Sequence, residues 1–255
     1  LRAAAFLADY IPANVDTHTY IFAADVVDQS NRPLGFPTDW GTHDNYDQQV
    51  SEPYLAVADY EIDKNAATPN QIIKAVESLP VVSIVMDQDD LFSPDEGIYS
   101  NPMQTGKAWE RPTSVEFIYP DGTMGFQVNT GIRIMGGASR NPNFTPKHSF
   151  RILFKAKYGP KRLEFPLFSN SNVDRFNNLV LRAGFNDTRS ISFCRECMHS
   201  KSITYVNDQW VRDSHKALGA VAAPGRFINL FINGLYWGLY NIHERPDAAF
   251  QSEYN

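Results

Sequence analysis

Apolar residues at Ile72, Ile73, Val76 and Leu79 recur at helical spacing, and both ends of that segment carry stop signals. Thr68 stands as N-cap, Pro69 takes the first helical position and Pro80 ends the run. Val81 to Met86 follows as a β-branched stretch, which reads as a buried strand. From residue 113 onward hairpins dominate. Val115–Ile118 and Thr123–Val128 flank Pro120-Asp121-Gly122, where Pro fixes φ and Gly permits positive φ. Gly131–Met135 reads as a separate short strand, and Leu179–Leu181 as another. His148, Phe150, Ile152 and Phe154 alternate with Lys147, Ser149, Arg151, Leu153 and Lys155, giving one aromatic-aliphatic face and one mostly cationic face. A helix is expected from about Asp208 to Leu218, with Trp210, Val211, Ser214, Ala217 and Leu218 on its inner stripe and Gly219 as its stop. Last, Phe227–Ile232 and Leu235–Ile242 are joined by Asn233-Gly234, a strong two-residue hairpin signal. The sum is an α+β fold, an antiparallel sheet with a packed helix.

The part before residue 80 has a different texture. Residues 1–7 read as a short strand left from an upstream domain, and 9–67 as an irregular connector rich in Asp, Asn, Pro and Gly. The expected division is 1–8, a connector with its helix at 9–79, and a main domain at 80–255. The chain opens at Leu1 without an initiator Met or signal-peptide pattern and stops at Asn255, so it reads as an excerpt of a longer protein.

Composition narrows the possibilities. With 255 residues, 43% apolar and 13% aromatic, the chain can bury a substantial core, which excludes wholesale disorder. Two cysteines exclude a disulfide-stapled mini-fold. The longest apolar candidate, around Phe227–Ile242, is broken by Asn229, Asn233 and Gly234, so no membrane insertion is expected. The net charge of −6 hides an asymmetry: residues 1–100 carry 4 basic and 17 acidic side chains, whereas 131–226 carry 16 basic and 6 acidic. A positive half favours anionic ligands such as phosphates, or else receives the acidic front folded over it. The basic residues form no run and the whole chain is acidic, which argues against nucleic acid.

Most familiar motifs fail on inspection. Gly131-Ile132-Arg133-Ile134-Met135-Gly136-Gly137-Ala138 opens like a Walker loop, but Gly137 and Ala138 occupy the places of Lys and Ser/Thr. No GxGxxG, HRD or DFG sequence is present. Asp87, Asp89 and Asp90 mimic an EF-hand start, yet Phe92 and Ile98 stand at the required Gly and Glu positions, leaving a solvated strand-end turn. Cys194-Arg195-Glu196-Cys197 supplies two of the four ligands of a structural zinc and lacks a redox context, so two ordinary thiols are expected. His243-Glu244 lacks the second His of a zincin. Two features survive. The Gly136–Arg140 turn precedes a strand presenting Lys147, Arg151 and Lys155, either a phosphate cleft or a sheet edge guarded by cations. Glu244-Arg245-Pro246-Asp247 follows the apolar hairpin directly, as a charged site or a plain exit loop.

Four stretches together carry a family resemblance. GIRIMGGASR (131–140), KHSFRILF (147–154), LVLRAGFND (179–187) and NGLYWGLYNIHERPD (233–247) resemble the CotH family, named for a spore-coat protein kinase, and the likeness runs from about Pro80 to the end. Residues 1–7 further resemble the last strand of a chitobiase-type β-sandwich, a frequent neighbour of such domains in large secreted bacterial proteins. The resemblance implies the N-terminal lobe of an atypical protein-kinase-like fold, binding ATP and Mg²⁺ and phosphorylating Ser or Thr of a protein partner. It implies that Gly136, Gly137, Ser139 and Arg140 cover phosphates while Lys147 or Arg151 pairs with them. The 208–218 helix would steady that cation through Asp208 or Asp213, and Glu244 would sit where backbone meets adenine. Two departures stand out. Asn207 replaces an Arg usual before the helix-opening Asp, a place Arg212 could fill. The metal-holding and base carboxylates are expected beyond residue 255, so that this excerpt alone is expected to be inactive. Extracellular or cell-surface placement beside other domains of the same polypeptide is implied as well. A rival of another class is a non-catalytic extracellular binding module, associated with carbohydrate-active or surface proteins.

Overall fold

The computed structural model describes residues 1–3, 8, 16–44, 52–188 and 203–254. Two short ribbons and two helices precede the main sheet. β1 (Arg2–Ala3) pairs with β2 (Asp16–Thr17), α1 spans Ala23–Val27, and β3 (Asp39–His43) pairs with β4 (Tyr54–Val57). The connector is therefore less irregular than its composition suggests. α2 (Pro69–Ser78) has the expected start, a capping box in which Thr68 and Gln71 satisfy each other's termini. Then come β5 (Val81–Val85), α3 (Gln88–Phe92), β6 (Arg111–Ile118), β7 (Met124–Met135), β8 (Ser149–Leu153), β9 (Leu163–Glu164), β10 (Arg175–Phe176) and β11 (Asn178–Arg182). α4 (Asn207–Ala217), β12 (Gly225–Ile232), β13 (Leu235–Glu244) and α5 (Ala248–Glu253) complete the chain.

The sheet closes on itself. Strands run β11-β13-β12-β5-β6-β7-β8, and β8 returns to β11, making a barrel that is antiparallel except where β12 lies parallel to β5. The expected mixed fold with a mostly antiparallel sheet is present, and its closure into a barrel is a feature the sequence pattern did not show. Closure removes the sheet edges, so the guarded-edge explanation of the β8 cations fails. β7 corrects the division into two strands: it runs unbroken for 12 residues from the Asp121-Gly122 turn and pairs with β6 and then β8. Val82, Ile84, Phe117, Ile132, Phe150, Ile152, Leu181, Ile228 and Leu230 fill the interior, each almost fully buried. On the outside, α1 and α2 cover β5 and β12 through Val26, Val76, Val81 and Phe231. At the β12–β13 turn, Asn233 (φ 50°) and Gly234 (φ 84°) both take the left-handed region that a tight hairpin of this type demands.

α4 forms where expected but packs the other way round. Trp210, Val211 and Leu218 are exposed, 68%, 46% and 84% respectively, whereas Gln209 is buried. The cause is the surface beneath it. Gly225 comes so close that a Cβ there would lie 2.4 Å from Gln209 Oε1, and Asn241 Nδ2 donates to the same oxygen at 3.0 Å. A polar patch on the barrel selects the polar side of the helix, against the pattern in its own sequence.

Candidate functional site

The small-residue bend is a structural clasp. Gly136 (φ 136°) turns the chain out of β7, and a Cβ there would fall 2.1 Å from Ser139 Oγ. Arg140 folds back beneath it: Nε donates to Gly136 O at 2.9 Å, Nη1 to Pro102 O at 2.7 Å and Gln104 O at 2.6 Å, and Nη2 to Ile134 O. The guanidinium is buried in holding two loops together, and its Nε, Nη1 and Nη2 are all engaged by backbone carbonyls. Ser139 O accepts from His148 Nδ1 at 3.2 Å, which ties the bend to the start of β8. Burial pushes the His148 imidazole down to about 4, keeping it neutral.

The three cations expected in one row go to three places. β8 covers only Ser149–Leu153, so Lys147 precedes it and Lys155 follows it. Lys147 Nζ donates to Leu239 O at 2.9 Å and lies 4.6 Å from the Tyr240 ring centroid. Lys155 Nζ clamps both oxygens of the buried Glu110 at 2.8 and 2.6 Å. Desolvation pushes that carboxyl up, but bonds from Lys155 and Lys157 outweigh it and the net shift is downward. Arg151 stays on the outer face of the barrel, opposite Arg133 on β7 and Val180 on β11, with His243 on the next strand. Its Nε donates to Asn178 Oδ1 at 3.1 Å and its Nη2 lies 3.6 Å from Asp247 Oδ2. Asp247 also caps α5, accepting from Ala249 and Phe250 amides, and meets Arg245 at 3.9 Å. Partial burial, then the nearby Arg245 and Arg133, push the Arg151 guanidinium down to about 10. Around it Arg133, Arg245, Lys155 and Lys157 gather against two carboxylates, Glu110 and Asp247. Such an incompletely neutralised cluster favours an anion.

The α4 helix steadies a different cation from the expected ones. Asp208 Oδ2 meets Arg212 at 2.9 Å and Arg182 Nε at 3.4 Å. Arg182 pairs with Asn241 across β11–β13, and Arg212 donates to Asn241 Oδ1 at 2.7 Å. Asp213 accepts from Gln209 instead. Asn207 and Thr204 amides both donate to Asp187, whose carboxylate caps the helix from the preceding segment. Arg182 and Asp187 are residues that a reading of single motifs passes over. Both sit in LVLRAGFND, where an Arg on a strand outside an otherwise apolar run and an Asp after a Gly were the available signals.

Glu244 points inward. It pairs with Leu179, and Leu179 with Ile152, so it belongs to the core-facing row. The side chain is 5% exposed, its Oε2 has no hydrogen-bond partner, and burial pushes the carboxyl up to about 7. Its backbone is engaged as well: the N–H donates to Pro224 O at 3.4 Å and the carbonyl accepts from His243 Nδ1 at 2.7 Å. Cys194 and Cys197 lie outside the described residues. Among the described residues, no group of three or more His, Cys, Asp or Glu is arranged to hold a metal ion.

The matched family decides what kind of segment this is. The family described as CotH kinase protein matches residues 132–254, which include the bend, β8, α4 and the β12–β13 hairpin. That segment, just under half of the chain, is similar to the CotH family. The eight residues singled out in the sequence therefore all lie inside a CotH segment, and kinase-like function is the family's own description. No curated protein matches the chain.

Proposed function

We propose that this chain supplies the nucleotide-facing part of a CotH-type protein kinase, which transfers phosphate from ATP to Ser or Thr of a protein partner outside the cell. The observation that carries the reading is the Arg151 cluster, where five cations stand against two carboxylates on an outer barrel face within the CotH segment. Guanidinium pairs suit phosphate oxygens because they offer parallel donors and keep their charge. Arg151 and Arg133 would hold phosphates, and Arg182, held by the Asp208 carboxylate that it shares with Arg212, would extend the cationic face toward α4. The donor set fits a polyphosphate. It does not fit Mg²⁺, since the described carboxylates gather into no metal-holding group, and no step is derived through the metal.

Titration of ATP, with and without Mg²⁺, into the protein tests this. Loss of one charge-assisted contact is worth about 1.5–3 kcal/mol, so Arg151→Ala is expected to weaken binding about 10- to 100-fold. Arg133→Ala is expected to have a smaller effect in the same direction. Unchanged affinity in the double variant overturns the phosphate site. The rival reading, an extracellular binding module, draws support from the exposed Trp210 and Val211 on α4 and Leu218 just after it.

A further inference from the structure

Lys147 is left without a role by the cationic face, and its surroundings differ from those of Arg151 in every respect. It lines a cavity of about 250 Å³ walled by Trp40, Tyr60, Tyr99 and Trp237. Trp40, Tyr60 and Tyr99 each stand 5.3–6.4 Å, centroid to centroid, from the Trp237 ring. The cavity is built from distant segments: the connector brings Trp40 and Tyr60, the segment before β8 brings Lys147, and β13 brings Trp237. No carboxylate lies within ion-pair distance of Lys147 among the described residues. An ammonium has three donors; here one meets Leu239 O and the Tyr240 ring takes up part of the remaining charge. Asp59 and Glu61, both exposed, are the carboxylates of the lining.

We propose that this cavity is a binding site for a small ring-bearing monocarboxylate, whose carboxylate meets Lys147 while its ring packs on Trp40, Tyr60 and Trp237. The charges choose the ligand. A single ammonium among aromatic rings attracts one anionic group, and the two exposed carboxylates of the lining repel a polyanion such as a triphosphate more strongly than a monoanion. Flat aromatic walls favour a ring over a flexible chain, because stacking adds to simple burial. The volume is that of roughly eight liquid waters, which admits one ring with a short substituent. An aromatic acid and a sugar acid share this chemistry. Burial also pushes the Lys147 ammonium down to about 8, with no carboxylate in ion-pair distance among the described residues to offset the desolvation.

Benzoate and glucuronate, titrated separately into the protein and followed by calorimetry and tryptophan fluorescence, distinguish the two sources. At least one is expected to bind and to quench the Trp emission. Benzamide, or the neutral glucose for the sugar arm, is expected to bind at least about tenfold more weakly, since one charge-assisted bond exceeds 1.4 kcal/mol. Lys147→Met keeps the apolar stem and removes the charge. It is expected to abolish the acid-over-neutral preference while its thermal midpoint holds or rises, because a desolvated cation without a carboxylate is lost. Should Lys147→Met fail to fold, the comparison of acid with neutral ligand on the unmodified protein still decides. The site is refuted if neither acid binds, if the neutral analogues bind equally well, or if ATP displaces the bound acid competitively.

Discussion

Arg140→Met is expected to lower the stability of this protein by about 4 kcal/mol, at the upper end of single-residue effects. The guanidinium donates to carbonyls of Gly136, Pro102, Gln104 and Ile134, so its removal leaves several buried acceptors without donors at once. Methionine retains much of the stem packing, which isolates the polar loss from a cavity effect. Burial lowers the Arg140 pKa, so the cation is held at some desolvation cost and only its four carbonyl partners compensate. Urea unfolding of wild type and variant reads the difference directly. A residue serving mainly to bind phosphate would behave oppositely, losing nucleotide affinity with little change in stability. A loss under about 1 kcal/mol sinks the clasp interpretation.

Glu244→Gln should stabilise the fold in a pH-dependent way. The folded carboxyl titrates near 7 against an ordinary value of 4.5, chiefly through burial, with Asp247 and Glu253 adding repulsion against a hydrogen bond from Tyr254. A raised carboxyl pKa means that the folded state binds its proton more tightly, so Glu244 costs nothing below pH 4.5. The cost grows as pH rises from 4.5 and is complete above about 7, where it reaches about 3 kcal/mol. Glutamine mimics the protonated acid and should remove that cost. His148 and His243 act in the other direction. Both are pushed down to about 4 by burial, so the folded state gains stability as pH climbs from 4 toward 6.5. The wild-type profile therefore mixes opposing slopes, and only the difference between variant and wild type isolates Glu244. Chemical unfolding at pH 4.5 and pH 8 should show a near-zero and a full offset. Equal offsets at both pH values contradict the buried-acid account.

Local order was legible where the controlling signals lie within a few residues. The α2 cap, the Asn233-Gly234 hairpin and the alternation at Phe150 and Ile152 depend on neighbours in sequence, and each formed where the pattern placed it. The CotH segment was legible too, because its motifs are continuous stretches. Expectations failed where a residue's partner is remote. Arg140 looked like a phosphate-facing cation until the 102–104 loop came beneath it, and a strand period could not reveal that Lys147 lies outside β8. The α4 stripe misled for the same reason: helical periodicity identifies a face, while the Asn241 and Gly225 surface decides which face is bought inward.

By itself, then, the sequence determined the α2 and α4 helices, the core strands after residue 80 in outline, the Asn233-Gly234 turn, the cationic character of the second half and the likeness of residues 132–254 to the CotH family. Backbone preference and short-range patterning suffice for these. Tertiary structure alone decided the closure of the barrel between β8 and β11, the inward turn of Glu244, and the parting of Lys147 from Arg151. Each depends on long-range pairing, which sets the dielectric and the neighbours that a charged group meets. Charge is written in the chain, but the work a charge can do is set by what is folded against it.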